Sequence, residues 1–332
     1  MNFIGDADDD RKKPVNEILT DPYGRTITNV RIALTNACNL RCIYCHREGE
    51  EINGCSRNDT HIQMTKEEIA ELIGVFAELG VTTIKLTGGE PTLRSDLLDI
   101  IRSIPPHIES SMTTNGTLLA KMATDLKEAG LSRVNISLDT LHRDRYLKIT
   151  GRDLLPDVLA GIDAAIAAGL TPVKLNMVIL KGFNDDEIED FFAYVRGRKD
   201  LILQIIELMD INGWADNIDH VDDLIRGNAD LVGDLEKDIA SRSTKVTTRR
   251  MHHRRKYCLD NAEVEVVRPM HNLEFCANCN RLRVTSDGKL KPCLLRTGNE
   301  VDIRGLHGED LKAAIAKAVQ NRAPYFTPAP KV

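Results

Sequence analysis

A chain of 332 residues with 44 Lys and Arg against 50 Asp and Glu carries a net charge of −6. That acidic balance argues against broad coating of nucleic acid, but it leaves room for a local basic pocket around one anion. Hydrophobic residues make up 42%, enough for a large core, and no stretch is long and apolar enough to span a bilayer. Met1 to Pro14 is polar and does not read as a secretory signal, so the expectation is a cytoplasmic protein with reduced thiols.

After a loose tail over residues 1–22, short β-branched runs alternate with helical patterns. The predicted strands are Val30–Thr35, Thr82–Thr87, Glu109–Thr113, Arg133–Leu138, Pro172–Leu180 and Leu203–Leu208. The clearest helix is Lys66–Leu79. Ile69, Leu72, Ile73 and Phe76 share one face, Thr65 and Glu68 form a capping box, and Gly80 stops it. Further helices are predicted over Asp96–Ile104, Leu118–Ala129, Pro156–Ala168 and Asp185–Arg196. Strands alternating with helices imply a parallel sheet with right-handed crossovers. From about Asp210 to Ala262 the sequence is polar and poorly periodic, which marks a boundary, and a smaller metal-centred segment follows.

The eight cysteines are Cys38, Cys42, Cys45, Cys55, Cys258, Cys276, Cys279 and Cys293. Clustered thiols in a reducing compartment read as metal ligands. Cys38, Cys42 and Cys45 form a Cys-x₃-Cys-x₂-Cys run directly after a strand. Three thiolates on one short loop can wrap one face of an iron–sulfur cubane and leave one iron open. The competing reading is zinc with His46 or Cys55 as fourth ligand, although zinc favours paired Cys-x₂-Cys units. Cys276, Cys279 and Cys293 form a second triad, read either as a second cluster or as a zinc ribbon completed by Cys258 or His271.

The first run, with Tyr44 before its last cysteine, resembles the signature of the radical S-adenosylmethionine (SAM) superfamily. That resemblance implies a [4Fe–4S] cluster whose open iron binds SAM, with Tyr44, Gly89 of Gly88-Gly89-Glu90-Pro91, Ser137 and Met209 as cofactor contacts and Glu90 near the ammonium. Arg281 and Arg283 follow Cys279 and point the same way in an extended segment, as a phosphate fork should. Together with Arg31, Lys85, Thr113 and Lys174 they match the GTP 3′,8-cyclase family of molybdenum cofactor biosynthesis. The match runs from about Tyr23 to Arg296. It implies a GTP site built from Arg31, Lys85, Thr113, Lys174, Arg281, Leu282 and Arg283, with the three arginines serving catalysis.

The fold expected on this basis is an incomplete six-stranded (βα) barrel, of the TIM-like radical SAM type, over 23–209. A C-terminal extension over 210–332 would carry the second [4Fe–4S] cluster and close the barrel mouth. The expected reaction cyclises GTP with SAM and an external electron donor, and passes the product to a cyclic pyranopterin monophosphate synthase. The resemblance implies a homodimer and neither nucleic-acid nor membrane partners. Two rival readings remain, a radical SAM peptide-modifying enzyme and a non-catalytic, zinc-stapled nucleotide-binding protein. The chain departs from the family in His46-Arg47-Glu48-Gly49-Glu50 and in ending Pro328-Ala-Pro330-Lys-Val332 without a glycine pair. The basic run Arg249 to Lys256 reads either as a solvated face or as a border of the triphosphate site.

Overall fold

A computed structural model describes residues 19–46, 48, 63–209, 221–249, 251–270 and 272–325, with side chains from 228 onward in the helix that opens at Val221. Cys55, Arg47, Arg250, His271 and the terminal Pro-Ala-Pro stretch lie outside the described residues.

Six parallel strands form the wall: β1 (Asn29–Ala33), β2 (Thr83–Thr87), β3 (Glu109–Thr114), β4 (Arg133–Ser137), β5 (Val173–Val178) and β6 (Leu201–Ile206). The helices of this region are α1 (Lys66–Glu78), α2 (Leu97–Arg102), α3 (Leu119–Glu128), α4 (Arg143–Thr150), α5 (Leu155–Ala167) and α6 (Ile188–Val195). In α1 the Thr65–Glu68 capping box is present, and Ile69, Leu72, Ile73, Val75 and Phe76 are buried. Each such side chain removed from water contributes on the order of 1.5–3 kcal/mol, which offsets the helix's ordering entropy.

The extension builds onto the wall itself. It comprises α7 (Val221–Arg242), β7 (Lys245–Thr248), β8 (Arg255–Leu259), β9 (Ala262–Val267), α8 (Leu273–Ala277), β10 (Arg281–Val284), β11 (Lys289–Lys291), β12 (Val301–Asp302) and α9 (Gly308–Gln320). β9 adds in parallel to β6, and β10 adds in parallel to β1, so the extension lengthens both open edges of the wall. The outer strands β8, β7 and β11, β12 then pair antiparallel. The order across the sheet is β12-β11-β10-β1-β2-β3-β4-β5-β6-β9-β8-β7. The turn between β7 and β8 reaches the cysteine-bearing segment beyond β9. There His252 donates its main-chain N–H to the Asn278 carbonyl at 3.0 Å, and its ring stacks on Phe275 at 3.8 Å. One hydrophobic core runs through both parts, from Leu19 to Val319. Among the described residues no helix is long and apolar enough to cross a membrane.

Candidate active site

The first cysteine loop leaves the carboxyl end of β1 and is pinned from two sides. On one side Arg41 N–H donates to the Thr150 carbonyl at 2.8 Å, and Ile43 N–H to the Ile149 carbonyl at 3.0 Å. Ile43 and Tyr44 also pack on a small cluster of Ile149, Leu180 and Leu208, while the Tyr44 hydroxyl donates to Asp139 at 2.5 Å. Burial pushes the Asp139 carboxyl up to about 6. On the other side stands the Gly88-Gly89 turn. A Cβ on Gly89 would meet the Ala37 carbonyl at 2.2 Å, and Gly89 N–H donates to the Thr35 carbonyl at 2.7 Å. The missing side chain therefore lets β2 lie against the cysteine loop, as well as leaving Gly89 on the cavity wall.

Glu90 has a role that its motif does not announce. It is fully buried, and its two oxygens accept from Thr92 N–H and Oγ1, Thr114 Oγ1 and Asn115 N–H. In doing so it brackets the ends of β2 and β3. Ser137, Met209 and Thr113 do line the cavity.

The second triad comes from three places. Cys276 lies in α8, Cys279 just before β10 and Cys293 just after β11. Two arginines clamp it: Arg25 Nη1 donates to the Cys276 carbonyl at 2.9 Å, and Arg322 Nη2 donates to the Cys279 carbonyl at 2.7 Å. Burial, with the neighbouring thiols Cys279 and Cys276, raises the Cys293 thiol. All six cysteines line one cavity of about 880 Å³. Among the described residues no three His, Cys, Asp or Glu side chains converge as a single metal ion requires.

Between the triads the wall is cationic. Eleven Arg and Lys side chains line the cavity against four carboxylates. Arg283, Arg31 and Lys85 stand side by side in β10, β1 and β2. Glu48 bridges the first two, with contacts of 2.9 Å to Arg283 and 2.7 Å to Arg31. Burial pushes the Glu48 carboxyl up, but Arg31, Arg283 and His46 outweigh it and hold it at about 2. Lys85 is only 8% exposed and has no carboxylate partner among the described residues. Burial, then repulsion from Arg31, Arg133, Arg281 and Lys174, holds its ammonium well below the usual range. Arg281 donates to Asn29 at 2.7 Å and has no carboxylate partner among the described residues.

On the far wall Lys174 Nζ sits 2.7 Å from the buried Glu265. Arg249 and Arg254 approach the same carboxylate at 3.2 and 3.6 Å. Leu282 lies on the opposite face of β10, fully buried in the core, so only its main chain is left to meet a ligand. Sequence reasoning missed Glu48 as the partner of Arg31 and Arg283. It also missed Arg25, Arg133, Arg322 and Gln204 as wall residues; nothing in their local sequence marks them.

A parallel barrel wall with a Cys-x₃-Cys-x₂-Cys loop at the end of its first strand defines a radical SAM enzyme, a class built on an iron–sulfur cluster and SAM. Residues 32–195 match the model of the radical SAM superfamily, and 201–328 match that described as Molybdenum Cofactor Synthesis C. A probable GTP 3′,8-cyclase of Methanocella arvoryzae is 51% identical over 93% of this chain and 95% of its own. Relatives of the same name from Methanosarcina mazei and Archaeoglobus fulgidus are 47% and 46% identical over 97% and 93% of this chain, and 94% and 99% of theirs. The chain belongs to the GTP 3′,8-cyclase family. Among solved structures, Streptococcus suis SuiB bound to its precursor peptide SuiA superposes with a TM-score of 0.62 at 16% identity, over 89% of this chain and 68% of that one. Native anSMEcpe with bound AdoMet gives 0.56 at 16% identity, over 85% and 80%. These likenesses speak for the fold alone.

Proposed function

We propose that this chain converts GTP to (8S)-3′,8-cyclo-7,8-dihydroguanosine 5′-triphosphate, the first step of molybdopterin biosynthesis. The observation that carries the substrate class is the row Arg283–Arg31–Lys85 between the two cysteine triads. Adjacent buried cations repel, and a ligand-derived anion relieves that repulsion. A polyphosphate fits a wall of this sign better than a peptide does.

On this reading Cys38, Cys42 and Cys45 hold the cluster that binds SAM, and Cys276, Cys279 and Cys293 hold a second [4Fe–4S] cluster beside the purine. When bound at the first triad, the cluster and SAM would supply reductive cleavage to a 5′-deoxyadenosyl radical able to take the 3′ hydrogen of the ribose. The protein's residues do the rest. Arg31, Lys85, Lys174, Arg281 and Arg283 hold the triphosphate, Thr113 contacts the nucleotide, and Leu282 contributes main chain. Tyr44, Gly89, Ser137 and Met209 seat SAM. The fixed nucleotide brings C3′ within reach of C8, and the wall excludes water from a reactive carbon centre. The substrate loses one hydrogen atom and regains an electron and a proton after ring closure. An external donor supplies that electron and the one that cleaves SAM. The reading also implies a cytoplasmic enzyme, with a homodimer as its family's assembly, whose product passes to a cyclic pyranopterin monophosphate synthase.

The test is an oxygen-free assay of iron- and sulfide-loaded protein with GTP, SAM and a strong reductant, read by mass spectrometry. The cyclised nucleotide and 5′-deoxyadenosine should appear together. Cys276→Ser should lose about four irons per chain and keep SAM cleavage. SAM cleavage that ignores GTP removes the substrate assignment.

A further inference from the structure

The basic run Arg249 to Lys256 does not act as one surface. Arg255 is exposed at the start of β8, and Lys256 pairs with Glu263 at 2.8 Å. Arg254 points the other way. It lines the cavity, its side chain is 13% exposed, and its Nη1 donates to Gln204 Oε1 at 2.9 Å. Its Nε has no hydrogen-bond partner. Arg249 lies across the same turn, its N–H bonded to the Arg254 carbonyl at 2.8 Å, and it too lines the cavity.

Charge does not balance here. Lys174, Arg249 and Arg254 share the single carboxylate of Glu265, whose Oε2 itself has no hydrogen-bond partner. The cations outnumber the carboxylate at a site where Arg254 is largely buried and the Arg249 side chain is 39% exposed. Arg254 also lies within electrostatic range of Arg281, so this surplus opens on the same chamber as the cationic row of β10, β1 and β2. A planar guanidinium with an unspent N–H suits phosphate oxygens, which it can meet in a bidentate fashion.

We propose that Arg254, with Arg249 beside it, forms a phosphate subsite on the β7–β8 turn that grips the phosphate chain of the nucleotide. This rests on the nucleotide reading of the cavity. It assigns substrate binding to a turn whose neighbours, Arg255 and Lys256, take no part. Glu265 keeps the three cations together until the phosphates arrive, and Gln204 sets the plane of the Arg254 guanidinium.

The experiment measures dissociation constants of GTP, inorganic tripolyphosphate and guanosine on cluster-loaded wild type, Arg254→Ala, Arg254→Lys and Arg255→Ala under exclusion of oxygen. Losing one charge-assisted contact should weaken GTP and tripolyphosphate about 10- to 100-fold in Arg254→Ala and leave guanosine unchanged. Arg254→Lys should recover part of the loss, Arg255→Ala should match wild type, and KM should move far more than kcat. Unchanged binding of GTP and tripolyphosphate by Arg254→Ala overturns the proposal. So does a loss that strikes guanosine equally, because that marks a merely structural role. If Arg254→Ala does not fold, Arg254→Lys decides: phosphate affinity equal to wild type together with unaltered triphosphate-over-guanosine preference counts against the subsite. Tripolyphosphate binding that depends on Arg254 in a protein that never cyclises GTP would uphold the subsite and defeat the cyclase reading.

Discussion

Arg31 Nη2 lies 2.7 Å from Glu48 Oε1, and the other Glu48 oxygen lies 2.9 Å from Arg283 Nη1. A residue of the loop that departs from the family pattern thus neutralises two of the cations expected to hold the substrate. Its carboxylate stands where an incoming phosphate would meet them. Glu48→Gln should therefore melt earlier without ligand, since breaking a buried pair costs about 3–5 kcal/mol. It should also bind GTP about 3- to 10-fold more tightly, because the competing anion is gone, and show a larger rise in melting temperature with GTP. Weaker GTP binding would mean that Glu48 stays in place and orients the guanidiniums. The sign on the acid side follows from the carboxyl held at about 2, below its usual 4.5. Its stabilisation is present above about pH 4.5 and is lost as pH falls through 2.

Lys85 poses the opposite case, a buried cation without a carboxylate partner among the described residues. Lys85→Met keeps the volume and removes the charge. Replacing buried ionic groups with packed apolar ones is often stabilising by about 1–4 kcal/mol, so the ligand-free variant should melt later than wild type. GTP affinity should fall about 10- to 100-fold through loss of a charge-assisted contact. Calorimetry and equilibrium binding on the same preparation check both signs, and a variant that loses stability and affinity together contradicts the argument.

Much of this was legible because buried parallel strands write themselves as apolar runs. Leu201–Ile206 is one, and the cysteine spacing after β1 is unmistakable. The helix α4 was not legible: four of the eight residues in Arg143–Thr150 are charged, and its stabilising contacts, Ile149 on Leu180 and Leu208, come from the segments that follow β5 and β6. In α7 the buried positions Val232 and Ile239 are separated by charged residues, so periodicity over residues 210–262 is diluted. The pairing of β10 with β1 joins residues about 250 apart in sequence and leaves no local mark. Arg254 and Arg255 look equivalent in the basic run, and only the β7–β8 turn turns one inward.

Glu90 separates a motif reading from a structural one. Four donors converge on its carboxylate, and its own N–H holds the Ala37 carbonyl of the cysteine loop at 2.8 Å. Glu90→Ala strands those donors and should cost about 3 kcal/mol or more. Its main consequence should be poorer iron loading at the first triad, read from iron content and the visible spectrum. In the isosteric Glu90→Gln, once reconstituted, the SAM dissociation constant should stay within about threefold of wild type, as expected of a bracket. A loss of SAM affinity at full iron loading would return the residue to the ammonium.

Lys174 links the cavity to pH. Burial lowers its ammonium, Glu265 opposes this, and Arg249 and Arg254 add to it, leaving the group at about 7. Glu265 is also lowered, because three cations surround one carboxylate. In the unfolded chain Lys174 stays protonated up to its ordinary value of 10.5. Between about pH 7 and 10.5 the unfolded state therefore binds more protons, and the ligand-free protein should gain stability from this residue as pH rises. GTP affinity should run the other way. The phosphate chain favours the charged amine, so binding above pH 7 takes up a proton and weakens by up to about tenfold per pH unit. Titration calorimetry in buffers of different ionisation heat reads the proton uptake directly. Lys174→Arg stays charged throughout and should flatten both slopes; an affinity profile that keeps its wild-type slope in that variant would move the titration to another group.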